Sequence, residues 1–144
     1  MRILKVRDNR ISRESKGEAI VALLVFLFSY TGIDKYWNNG QFRNALLNSI
    51  LLKQLAQPIS LILPGVEIIL VIILTIPGTR LFGLKVTIVL LAIFTIYIIY
   101  MIMNAPHLPC SCGGIISKLS WKQHIFLNII FIAFAYVAIK LKKN

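Results

Sequence analysis

The chain has 144 residues, 58% of them hydrophobic, with a mean hydropathy of +0.79. That leaves room for one domain, but it is too apolar for a soluble fold of this size and fits a chain whose solvent is mostly lipid. The net charge of +11 comes from basic residues at the ends of apolar runs. They form no stripe interleaved with aromatics, which argues against nucleic acid as a partner. Two cysteines are too few for a disulfide framework.

Residues 1–17 are polar and basic, with Arg2, Lys5, Arg7, Arg10, Arg13 and Lys16 beside Asp8 and Glu14, and read as a cytoplasmic lead-in. The apolar run 19–33 follows positive charge as a secretory signal would, but no small-x-small cleavage site comes after it. A retained first span over about 18–36 is expected, with Glu18 and Lys35 snorkelling at its two ends. Next, Phe42, Leu46, Ile50 and Leu51 recur at helical spacing, with Gln41, Arg43, Asn44, Asn48 and Gln54 largely on the other side. This predicts an interfacial amphipathic helix over about 40–55.

A second span covers about 58–77. Pro64 within it must free a backbone carbonyl about a turn earlier, and Glu67 follows one turn later. The third span, about 81–104, carries Thr87, Thr95, Tyr97, Tyr100 and Asn104 as its polar positions. After a connection at 105–119, the fourth span runs over about 120–141 into Lys140, Lys142 and Lys143, with a short tail at 142–144. Backbone groups in lipid must be satisfied within each segment, so the four runs are helices. The polar–apolar alternation of a membrane barrel is missing. The predicted fold is all-α: one membrane domain over 18–141, a four-helix transmembrane bundle.

Of the sixteen Lys and Arg residues, the two tails and the Arg80/Lys85 turn hold all but Lys35, Arg43, Lys53, Lys118 and Lys122. The positive-inside rule then places both termini in the cytoplasm. The 105–119 loop faces the outside, where disulfides persist. That loop holds both cysteines, in Pro109-Cys110-Ser111-Cys112-Gly113-Gly114. A Cys-x-Cys disulfide closes a small strained ring and is oxidising and labile. The glycines permit tight turns, while Lys118, Lys122, His124 and the start of the fourth helix favour a thiolate.

At the same level lie Tyr30, Asp34 and Lys35 of the first span, Tyr100 and Asn104 of the third, and Trp121, His124 and Asn128 sharing a face of the fourth. An intramembrane carboxyl such as Glu67 is expensive and faces a partner inside the bundle, and Lys35 has the matching depth. Glu67 could carry protons or form a structural ion pair. His124 could transfer protons near a thiol or hydrogen-bond locally. Lys35, Glu67, His124 and the two cysteines are expected within about one helix diameter, 10–12 Å, of a common point. A rival reading is Cu(I) held by the soft ligands Met101, Met103, His107, Cys110 and Cys112, although methionine at the apolar end of a helix is also ordinary packing.

The ordered set Tyr30-Thr31-Gly32-x-x-Lys35, Pro64-x-x-Glu67, Cys110-x-Cys112-Gly113-Gly114 and Trp121-x-x-His124-x-x-x-Asn128 resembles the DoxX-like/MauE group of small membrane proteins. It is most similar to their redox-associated form described in Bacteroidota, and the resemblance spans about residues 23–139. It implies a four-helix bundle laid out like the quinone-linked disulfide-forming membrane enzymes, with Cys110 and Cys112 as the redox pair and Lys35, Glu67 and His124 around it. Those enzymes typically use two cysteine pairs; here there is one, so it does both jobs or a partner supplies the second. No quinone site is legible, and a quinone would be reached through a partner.

The reading is therefore a multi-pass protein of a bacterial inner membrane. It performs thiol–disulfide exchange or electron relay with an exported or membrane protein partner through a periplasmic Cys110/Cys112 pair. The alternatives are a non-catalytic subunit of a larger membrane complex, and Cu(I) handling.

Overall fold

The computed structural model describes residues 2–104 and 120–143. Five α-helices follow one another: α1 (Arg2–Trp37), α2 (Asn39–Leu47), α3 (Ala56–Thr75), α4 (Arg80–Asn104) and α5 (Trp121–Lys143), with a 3₁₀ turn at Lys53–Leu55 before α3. Among the described residues there is no strand, and four helices are long and apolar enough to cross a membrane. The predicted four-helix membrane bundle is thus observed. α1 packs on α3, α3 on α4, α4 on α5 and α5 back on α1, closing a ring, while α2 lies against α3 and α1.

Much of the helix surface is apolar and outward-facing. Phe26, Ile62, Phe82, Ile96 and Phe126 each expose more than 60% of their area, which suits side chains solvated by acyl chains. Tyr36 and Trp37, at the end of α1, are also exposed, as expected of an aromatic belt at the membrane–water interface. Along the ring axis, Val21, Leu24, Phe28, Leu70, Leu74, Leu84, Leu91, Ala135 and Ala138 form the core.

α1 is longer than the expected span. Its 36 residues at 1.5 Å each make about 54 Å, well beyond a hydrocarbon core of about 30 Å. The basic lead-in contains no proline and one glycine, Gly17, so nothing in it stops the helix from extending upstream. The interfacial segment is shorter than the spacing predicts. α2 stops at Leu47; Phe42 and Leu46 are buried, but Ile50 and Leu51 are exposed.

Pro64 explains how α2 is held. Its ring nitrogen cannot donate to the carbonyl four residues back, that of Ser60. The carbonyl freed in this way accepts a hydrogen bond from Asn39 Nδ2 of α2 at 2.6 Å. Arg43 donates to Gln57 Oε1 at 3.0 Å. Beyond α2, the buried Ser49 hydroxyl accepts from Tyr97 Oη at 3.0 Å and donates to the Met101 sulfur at 3.7 Å. α2 and the segment after it are therefore bound to both α3 and α4.

The opposite end of the bundle is tied by its basic residues. Arg80 donates through Nε to the Leu74 carbonyl at the C-terminus of α3 (3.0 Å) and pairs with Glu18 of α1. Lys142 of α5 donates to the Pro77 carbonyl at 2.9 Å. Arg80 thereby caps a carbonyl that the end of α3 leaves unsatisfied, and Lys142 bonds a carbonyl of the turn that follows. Ile76, ahead of Pro77, takes the extended conformation (ψ 118°) that a following proline imposes. At the start of α5, Ser120 and Gln123 form a reciprocal capping box: the Ser120 amide donates to Gln123 Oε1 (2.9 Å), and the Gln123 amide to Ser120 Oγ (3.4 Å).

Gly83 allows α4 to approach α3 closely. A Cβ there would lie 3.0 Å from Ile73 and 3.1 Å from Leu74. Gly83→Val should therefore overpack the crossing and cost about 1–3 kcal/mol, seen as a lower melting temperature in detergent. Gly65→Ala, where a Cβ meets nothing within 4 Å, should leave the melting temperature unchanged or raise it.

Candidate functional site

The polar centre of the bundle is an ion pair. Lys35 Nζ of α1 donates to Glu67 Oε1 of α3 at 2.6 Å, with the side chains 5% and 1% exposed. Lys35 was expected to snorkel, but it turns inward instead, because the Glu67 carboxylate one helix away receives its ammonium inside the bundle. Gly32, one turn earlier on α1, makes room for the contact. A Cβ there would come within 3.3 Å of Glu67 Cβ and 3.2 Å of Ile68, so the two backbones can approach as small residues allow in membrane helices.

Glu67 lies eleven residues beyond the start of α3 at Ala56, about 16 Å along its axis. The second carboxyl oxygen, Oε2, is buried and makes no hydrogen bond with any described residue. One turn before Lys35, the Thr31 hydroxyl donates to the Phe28 carbonyl at 3.5 Å. The ammonium is flanked by the rings of Phe42 (5.9 Å) and Phe94 (6.0 Å), which attract a cation through their faces.

Beside the pair is an open-sided cavity of about 380 Å³, lined by residues of α1, α2, α3, α4 and α5. Its walls are leucines, isoleucines and the rings of Phe28, Phe42, Phe94 and Tyr97. Its polar groups are Thr31, Lys35, Glu67, His124, Asn128 and the Tyr97 hydroxyl. His124 and Asn128 of α5 are both buried, and Asn128 Nδ2 donates to Thr95 Oγ1 at 3.3 Å. Three residues named from sequence, Lys35, Glu67 and His124, thus line one cavity.

Other candidates are not brought together. Met101 is buried against Ser49, while Met103 is 78% exposed; the two side chains face apart and do not share a ligand position. Cys110, Cys112 and His107 lie outside the described residues. Sequence reasoning passed over Phe42, Phe94 and Tyr97 as elements of the cavity. It also missed the bond from Asn39 to Ser60, although Pro64 had already marked Ser60 as the carbonyl left free.

A small polytopic membrane protein with a buried ion pair beside an intramembrane cavity is what this fold and site define. The family model described as methylamine utilisation protein MauE matches residues 14–141, and the chain belongs to the MauE family. No curated protein and no solved structure matches the chain.

Breaking the pair from either side leaves the other group buried alone. Lys35→Met and Glu67→Leu should each cost about 3–5 kcal/mol, whereas the double variant Lys35→Met/Glu67→Leu should lose far less. Thermal unfolding of all four proteins in one detergent gives the coupling. Strictly additive losses would mean that the contact carries no interaction energy.

Proposed function

We propose that this MauE-family protein exchanges thiols and disulfides with an exported or membrane-bound partner through Cys110 and Cys112. The loop would lie on the periplasmic side of a bacterial inner membrane and both termini in the cytoplasm. The observation that carries this reading is the convergence of Lys35, Glu67 and His124 on one buried site. The 105–119 connection is attached at the same end of the bundle, joining Asn104 of α4 to Trp121 of α5. Buried ionisable groups facing a cavity mark functional sites more often than chance.

The exchange balances without a third reagent. A partner thiolate attacks one sulfur of the Cys110–Cys112 disulfide, and the other sulfur leaves as a thiolate. The partner's second thiol then resolves the mixed disulfide. The partner departs as a disulfide, and Cys110 and Cys112 keep two electrons and two protons as a pair of thiols. In this scheme His124 and the start of α5 favour the thiolate, while Lys35 and Glu67 form the neutral polar floor of the site. The family's description places relatives in methylamine utilisation; the exchange proposed here does not specify that substrate.

The reading is tested in intact cells with a membrane-impermeant maleimide, applied before and after reduction and read as a mass shift. Expected is no labelling at first and two labels after reduction, both lost in Cys110→Ser/Cys112→Ser. Free thiols in unreduced cells, or cysteines still inaccessible after reduction, would contradict the proposal.

A further inference from the structure

A second groove lies at the other end of the bundle, away from the 105–119 connection. Its volume is about 680 Å³, and α1, the turn before α4, α4 and α5 all line it. α1 contributes a stripe that includes Arg10, Arg13, Gly17 and Val21; steps of three and four residues keep these on one face of a helix. A Cβ on Gly17 would meet nothing within 4 Å, so the middle of that face is open.

The charge in the lining is unbalanced. Four cations, Arg10, Arg13, Arg80 and Lys142, stand against two carboxylates, Glu14 and Glu18, an excess of two positive charges. Arg80 is paired with Glu18, whereas Arg10 and Arg13 make no ion pair or hydrogen bond with a described residue. Arg80 directs two of its five N–H groups at Leu74 and Glu18, and Lys142 one of its three at Pro77. Donors are therefore left on both walls. Beneath them the floor is apolar, made by Val21, Leu84 and Ala138 of the core.

Depth narrows the choice of anion. The apolar run of α1 begins at Ala19, which puts Glu18 at the edge of the hydrocarbon. Arg13 and Arg10 lie about 8 and 12 Å further out along the helix, at about 1.5 Å per residue. The polar layer on each side of a bilayer is about 5–8 Å deep, so Arg13 stands at the level of lipid phosphates and Arg10 just beyond. A soluble anion would gain nothing from the apolar floor, and basic pockets between membrane helices hold phosphate heads.

We propose that this groove binds one lipid with two phosphates, of the cardiolipin class. One phosphate sits between Arg10 and Arg13 and the other between Arg80 and Lys142, with the glycerol and ester region over the apolar floor. Bound in this way, the lipid ties the extension of α1 to the ends of the other helices. The site depends neither on the thiol reading nor on which side of the membrane this end faces.

The test is native mass spectrometry of the full chain released from detergent micelles, titrated with cardiolipin, phosphatidylglycerol or pyrophosphate. Expected is one cardiolipin per chain, bound about tenfold more tightly than phosphatidylglycerol and not displaced by pyrophosphate. Arg10→Gln/Arg13→Gln should weaken it about thirtyfold, at roughly fivefold for each cation near a lipid phosphate. Lys16→Gln/Lys140→Gln removes the same charge from α1 and α5 outside the groove and should change the affinity little. Gly17→Leu fills the groove and should lower the affinity about tenfold. The melting temperature of that variant without lipid should hold or rise, because glycine inside a helix is itself unfavourable. Equal affinity for the two lipids, displacement by pyrophosphate, equal losses in the two double variants, or undiminished binding to a folded Gly17→Leu protein would each overturn the assignment.

Discussion

A hydrocarbon solvent offers no hydrogen bonds, and the Lys35–Glu67 pair is where this chain meets that constraint most directly. Either charge alone at this depth would cost several kcal/mol; together, at 2.6 Å, each makes the other tolerable. The partners come from different helices, so their contact also fixes the relative depth of α1 and α3. A one-turn slip of either helix, about 5.4 Å, would separate the charges in lipid. The close approach over Gly32 follows the same logic, because a larger residue there would push α1 off α3 at the level of the pair.

The rule that buried polar groups need partners also assembles the surroundings. Pro64 removes a donor from α3, and Asn39 of α2 supplies the replacement. A helix that would otherwise float in the interface is thereby pinned to the bundle, with Phe42 directed at Lys35. Ser49 does the same toward α4 through Tyr97 and Met101. Packing alone would not achieve this, since acyl chains are about as apolar as the side chains they would replace. Each attachment is a polar bond at a position where lipid could not supply one.

This also explains what was legible in the sequence. The four spans were readable because length and hydropathy are set by the bilayer. The Lys35–Glu67 pairing was readable because two opposite charges at one depth have few other options. That pairing would win over snorkelling, which the same sequence equally allows, was not readable, because the choice turns on whether Gly32 lets the helices come close. The faces of the helices were equally hidden. Where core and solvent are both apolar, periodicity marks no inside, so Phe94 among the isoleucines of α4 carried no signal. On α2 the periodic signal was real but overran: Ile50 and Leu51 fit the pattern yet fall after the helix has ended.

The two ends of the bundle divide the demands of stability and access. At one end, Arg80, Glu18 and Lys142 tie α1, α3 and α5 to the turn before α4, and the apolar core reaches from there toward the midplane. At the other, the Lys35–Glu67 pair joins α1 to α3 beside the cavity, and α2 lies against both. A cavity in a bundle forgoes packing contacts that would stabilise the fold. The polar attachments of α2 reduce that loss without filling the space. At the cavity wall α4 is fixed on both sides, by Tyr97 to Ser49 and by Thr95 to Asn128 of α5.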